Sequence, residues 1–155
     1  MTPFSSVYDA FFRYITDDMY MEISEEETKA DCKDLLLASI PLFEFPNAVI
    51  DIGTNADGED VFTRKLTLEE QNILAMGMVQ IWVQRQMTSI ELTRQKFSGA
   101  DFKLTSQASH LKQLSSLMQK VQDEYRRMLM IYTRHEIVDG QYKSTFGNFV
   151  KRITR

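Results

Sequence analysis

Residues 73–83 read ILAMGMVQIWV, with an apolar side chain at nine of eleven positions. A helix built from such a run has no polar face to turn to water, so other elements must surround it. That requirement points to a mainly helical bundle with this segment at its centre. The flanks mark its ends. Thr67 and Glu70 have the spacing of a capping box, in which hydroxyl and carboxylate each satisfy the other residue's backbone N–H. Ser98-Gly99 is a stop signal, so the helix is expected to end near Phe97. Gly77 inside it costs about 1 kcal/mol relative to alanine. A second helix crossing closely there would offset that cost. Beyond Gln84 the pattern turns amphipathic, with Met87, Ile90, Arg94 and Phe97 along one line.

A second long helix follows the break, capped at Thr105 or Ser106. Leu111, Leu114, Met118, Val121, Tyr125, Met128 and Tyr132 recur in it at steps of three and four. Such a stripe zips along another helix. The nearest partner is the central helix, antiparallel across the short Gly99 link; a helix of another copy is the competing partner.

The first forty residues also read as helical. Residues 5–20 form a short helix started by Pro3 and Ser5-Ser6, with Val7, Phe11 and Tyr14/Ile15 on one face and an end near Asp17-Asp18. Its aromatics, Tyr8, Phe11, Phe12 and Tyr14, exceed one buried stripe and suit either core or an arm packed on a neighbour. Ser24 with Glu27 is a second capping box, with Glu25 and Glu26 in a first turn that favours negative charge. Cys32, Leu35, Leu36, Ser39 and Ile40 form that helix's apolar face, and Pro41 ends it.

Helical period disappears between Phe43 and Leu66. Residues 48–52 and 61–66 read as two strands joined by a turn containing Asp57-Gly58, a small β-hairpin insertion near 48–66. An EF-hand calcium loop fails here, because Gly53 stands at ligand position one and Arg64 where a bidentate Glu is required.

Sites of chemistry are scarce. A single cysteine excludes an internal disulfide and a multi-cysteine zinc site. Cys32 reads as a small buried hydrophobe. His110 and His135 each stand alone, and His135-Glu136 lacks the second His of the zinc-protease pattern. No run is apolar enough for a membrane span, and no signal-peptide pattern opens the chain. The expectation is a non-enzymatic protein with no cofactor and no metal. Charge is the stronger clue. Residues 1–70 hold sixteen acids against five bases, a balance of −11, and residues 71–155 hold six against thirteen, +7. If the halves lie on separate faces, copies or partners can meet through complementary charge; if they interleave, the charges cancel locally. The segment from Gln141 onward has four bases and no acid, interleaved with Tyr142, Phe146 and Phe149. It suits docking on a partner protein or contact with nucleic acid, and a solvated terminus is the plain alternative.

Several stretches together resemble the small neck proteins of tailed bacteriophages. They are Tyr8-Asp-Ala-Phe-Phe12 with Ile15-Thr-Asp-Asp-Met-Tyr20, Ile40-Pro-Leu-Phe-Glu-Phe-Pro46, and Trp82-Val-Gln-Arg-Gln86. Ser98-Gly-Ala-Asp-Phe102 with Thr105-Ser-Gln-Ala-Ser-His-Leu111, Asp139-Gly-Gln-Tyr142 and Ser144-Thr-Phe-Gly147 belong to the same likeness. It extends over nearly the whole chain, and its motifs are structural rather than catalytic. The resemblance implies a head–tail connector adaptor: a helical bundle assembled as a dodecameric ring beneath the portal, in the virion neck, around a channel through which DNA passes without sequence-specific binding. It implies the portal and a tail-side neck or tail-completion protein as partners, and no membrane. Carried over by position, the docking tail would use Tyr142, Lys143, Phe146, Phe149, Lys151, Arg152 and Arg155. The insertion at 48–66 is more than a minimal adaptor bundle needs. The expectation is therefore a helical bundle over residues 1–136, with two long antiparallel helices and the β-hairpin insertion, followed by a docking tail over 137–155. A DNA-binding regulatory or packaging protein using the basic C-terminal half is the alternative.

Overall fold

The computed structural model describes residues 1–15, 19–44, 46, 49–96, 104–138 and 141–144, with side chains for all of these except 19, 21, 93–96, 104–108, 135–138 and 141–144. The elements run β1 (Thr2–Pro3), α1 (Phe4–Phe12), α2 (Met19–Glu22), α3 (Glu25–Ser39), a 3-10 turn (Ile40–Leu42), β2 (Ile52–Thr54), β3 (Asp60–Phe62), α4 (Leu68–Lys96), α5 (Leu104–Thr133), β4 (His135–Val138) and β5 (Gln141–Ser144). The protein is mainly helical, with a small three-stranded antiparallel sheet ordered β1-β3-β2.

α4 is the hub. Its first half is enclosed, with every residue from Ile73 to Val79 buried, and Val83 buried one turn later. The enclosure is narrower than the sequence suggests, because Ile81 and Trp82 are only half-buried. Gly77 explains how tightly the bundle closes. A Cβ placed there would lie 3.0 Å from the Ser39 Cβ and 3.6 Å from a ring carbon of Tyr125. The end of α3 and the middle of α5 thus meet α4 at one point that admits no side chain. α5 runs antiparallel to α4: Tyr132 bonds Glu70 near one end, Tyr125 reaches Gly77, and Leu111 faces Met87 toward the other. Leu114, Val121, Tyr125 and Tyr132 are buried, and Met118 and Met128 pack against them, so the stripe zips within the chain.

α3 forms as its capping box dictates. The Ser24 hydroxyl accepts from the Glu27 N–H at 3.2 Å, and the Glu27 carboxylate accepts from the Ser24 N–H at 3.0 Å. Pro41 stops the helix at Ser39, and the chain tightens into the 3-10 turn. Cys32, Leu35, Leu36 and Ser39 are buried.

The N-terminal segment departs from the expected single helix over 5–20. α1 starts at Phe4 with Pro3 as its cap residue, and Ser5 and Ser6 lie inside it. It ends at Phe12, where the Tyr14 N–H turns back to the Phe11 carbonyl at 2.9 Å. α2 then returns Tyr20 edge-on to Phe11 and Phe12, with centroids 6.3 and 5.3 Å apart. Aromatic edge-to-face packing selects this fold-back over helix continuation. Asp17-Asp18 lies outside the described residues. The aromatics divide: Phe11 is core and Tyr8 packs partly against it, while Phe12 and Tyr14 stay exposed.

The hairpin is present, with strands shifted toward its turn. β2 and β3 pair with Ile52 opposite Phe62 and Thr54 opposite Asp60. Asn55 fixes the shift: its Oδ1 accepts from the N–H groups of Asp57 and Glu59 at 3.0 and 2.8 Å, and Gly58 takes φ +81°. Such a side-chain-stapled turn ends both strands close to it. The third strand, β1, is too short to announce itself in sequence. The Thr2 hydroxyl accepts from the Leu66 N–H at 2.8 Å, and Phe4 packs on Phe62 with centroids 4.7 Å apart. The insertion is thereby sewn into the bundle core.

Candidate docking surface at the end of α5

The chain leaves α5 through a turn, the Arg134 N–H donating to the Ile131 carbonyl at 3.1 Å. It enters an antiparallel hairpin in which His135 faces Ser144, Glu136 faces Lys143, Ile137 faces Tyr142 and Val138 faces Gln141. Residues 135–138 and 141–144 are therefore paired strands, the first beginning two residues before the 137 boundary read from sequence. Two of the expected docking residues, Tyr142 and Lys143, are on β5. Phe146, Phe149, Lys151, Arg152 and Arg155 lie outside the described residues, as does the turn read at Asp139-Gly140. Glu136 and Lys143, of opposite charge, take one register position, and Ile137 and Tyr142 take the next.

A buried carboxylate anchors the helix end from which this hairpin grows. Glu70 is 2% exposed. Its Oε2 accepts from the Thr67 N–H at 2.9 Å while the Thr67 hydroxyl accepts from the Glu70 N–H at 3.2 Å, the reciprocal cap of α4. The Arg64 guanidinium donates to both carboxylate oxygens, at 2.9 and 2.7 Å, and through Nε to the Val49 carbonyl at 3.1 Å. The Tyr132 hydroxyl, from the last turn of α5, donates to Oε1 at 2.8 Å. Phe43 meets the Tyr132 ring edge-on at 5.2 Å. Burial by itself pushes the Glu70 carboxyl up, but the donors from Arg64, Thr67 and Tyr132 outweigh it and hold it below the usual range. One charge thus ties the β3–α4 link, the start of α4 and the end of α5.

Sequence reading found the Thr67–Glu70 cap and missed its two further partners. In the sequence Arg64 stands out only as a residue that a calcium loop does not admit, and Tyr132 only as the last residue of a stripe. A basic residue six positions before a capping Glu is a usable signal, since the helix start faces back along the incoming chain. The contact across 62 residues to Tyr132 had none.

The remaining chemistry is sparse. Among the described residues, no three His, Cys, Asp or Glu side chains converge as a metal site. No described helix is long and apolar enough to cross a membrane. Cys32 is buried, and desolvation, with the Asp31 carboxylate adding to it, pushes its thiol up to about 12. A surface groove lined by Tyr14, Ile15, Met76, Val79, Trp82, Leu117 and Val121 runs between α4 and α5. The buried indole N–H of Trp82 meets no acceptor among the described residues. Comparison with family models, with characterised proteins and with solved structures returns no match.

Proposed function

We propose that the chain is a head–tail connector subunit of a tailed-phage neck, forming a ring under the portal and joining it to tail-side proteins around the DNA channel. The observation that carries the reading is the β4–β5 hairpin after α5, whose second strand includes Tyr142 and Lys143, two of the residues that the resemblance implies for a docking tail. An anchored helix end supports this role, because a docking element transmits force only if its base is fixed, and Tyr132 on Glu70 supplies that fixing. The charge asymmetry of the sequence, −11 over residues 1–70 against +7 over 71–155, supports it too, although part of it is neutralised inside the chain, where Arg85 pairs with Asp31 at 2.7 Å. A ring subunit has two unlike sides to fill, and complementary sides suit that geometry.

The test is a binding assay against the portal, with negative-stain microscopy of the mixture. The full chain should join the portal as a ring. Truncation after Ser144 removes Phe146, Phe149, Lys151, Arg152 and Arg155, and Tyr142→Ala with Lys143→Ala alters the hairpin. Both variants should keep the bundle's melting temperature and lose portal binding. A chain that stays monomeric and never joins its portal sinks the proposal. Tight, salt-sensitive binding to bare DNA in place of portal binding would favour the DNA-binding alternative.

A further inference from the structure

The outer faces of α3 and α5 carry matching patterns that the bundle does not use. On α3, Ile23 (in the link before the cap), Glu27, Ala30, Asp34 and Leu37 recur at steps of four and three, away from the buried Cys32, Leu35, Leu36 and Ser39. On α5, Leu117, Lys120, Glu124, Arg127 and Ile131 recur at steps of three and four, beside the core stripe. Leu37, Leu117 and Ile131 are 39%, 40% and 43% exposed, and Ile23 is half-buried. Each stripe has its apolar residues at its ends: on α5, Leu117 and Ile131 stand two heptads or about 21 Å apart along the helix, and on α3 the matching ends are Leu37 and Ile23 in the link before the cap. One stripe has acids between those ends and the other has bases flanking a single acid.

We infer that the outer stripe of α3 in one copy docks antiparallel on the outer stripe of α5 in the next copy. In that register Leu37 meets Leu117 and Ile23 meets Ile131. Asp34 meets Lys120, Glu27 meets Arg127, and the small Ala30 receives Glu124. The parallel alternative would set Asp34 against Arg127, already paired with Glu124, and Lys120 against Glu27, already engaged in its cap. The antiparallel register brings together Asp34 and Lys120, two charges unpaired among the described residues, and on that ground it is preferred. Neither Asp34 nor Lys120 has an ion-pair partner among the described residues. Arg127 spends Nε and Nη2 on Glu124 and has donors left for a second carboxylate. Glu27 uses Oε2 in its cap and keeps Oε1. Because the two faces differ, the contact is head-to-tail, and repetition yields a ring or a filament. The inference deepens the connector proposal by naming the copy-to-copy faces, but it stands on this chain alone and its test contains no portal.

The experiment mixes full-length Leu37→Cys protein with full-length Leu117→Cys protein under mild oxidation at low salt. The native Cys32 is buried and out of reach. A cross-linked dimer of the two is expected, in excess of that from Leu37→Cys with Ile131→Cys. Asp34→Lys or Lys120→Asp alone should weaken self-association in sedimentation about fivefold, and the two together in one chain should restore it. Circular dichroism confirms that these surface variants fold. Equal or greater linkage of 37 to 131, no linkage at millimolar protein, or charge reversal without rescue overturns the inference. Intact linkage in a protein that ignores the portal would instead count against the connector reading alone.

Discussion

Glu70→Ala is the substitution that most directly probes how the bundle is held. The carboxylate is almost wholly enclosed, and it satisfies three partners from three segments: Thr67, Arg64 and Tyr132. Loss of the reciprocal cap costs about 1 kcal/mol. The Tyr132 hydroxyl, left buried without its acceptor, costs about 1–3 kcal/mol. Breaking a fully buried ion pair costs about 3–5 kcal/mol, but Arg64 has a quarter of its side chain in contact with water and keeps part of its solvation. These terms overlap, and a total near 3–4 kcal/mol is expected, a large share of the stability of a domain this size. Urea unfolding followed by circular dichroism measures it. Glu70→Gln keeps a single acceptor oxygen, enough for Thr67 or Tyr132 but not both, and loses the charge that Arg64 pairs with, so it should lose less than Glu70→Ala but more than Tyr132→Phe. Tyr132→Phe should lose about 1–2 kcal/mol, with hydrogen exchange accelerated in β4 and β5 more than in α3. If Glu70→Ala cost under about 1 kcal/mol, or Tyr132→Phe left the hairpin's exchange unchanged, the anchoring argument would fail.

Glu70 also sets an acid limit. Its folded pKa lies below the unfolded value, so its contribution is present in full above the ordinary carboxylate range and is lost as pH falls through the folded value. Stability measured from pH 7 downward should therefore fall more steeply in the native protein than in Glu70→Gln. Gly77→Ala gains about 1 kcal/mol of helix propensity, yet its methyl would crowd a Cβ fixed to the α3 backbone at 3.0 Å. A net loss of about 1–2 kcal/mol in urea unfolding is expected, and stabilisation would show that α3 yields. Trp82→Ala should cost about 2–3 kcal/mol, less than a fully enclosed tryptophan, while Trp82→Phe should cost under about 1 kcal/mol because it also removes an indole N–H that has no acceptor among the described residues. The melting temperatures of the two variants report the difference. Cys32 should resist thiol reagents at pH 8 until the protein unfolds, and rapid labelling of the native state would contradict its burial.

Much of this architecture was written locally. The two capping boxes, the stop at Pro41, the apolar run at 73–79 and the three-four stripe of α5 depend on neighbours within a turn or two, so sequence alone specified α3 and the two long helices, and favoured their antiparallel pairing over one with another copy. The crowded site at Gly77 followed as well, because a glycine in a buried helix needs a reason. The residues proposed for docking were legible only as an aromatic and basic pattern, since strand pairing between 135–138 and 141–144 depends on two short segments finding one register.

Tertiary structure decided what depends on distance. Tyr20 folding back on Phe11 and Phe12 split the first helix, and β1 reached across the sequence to close the sheet on β3. Glu70 turned from a cap into an anchor only when Tyr132 arrived beside it. Periodicity tells which face of a helix is apolar, but it does not say which apolar residues remain in water. That distinction leaves Leu37, Leu117 and Ile131 outside, on the faces where a second copy would sit.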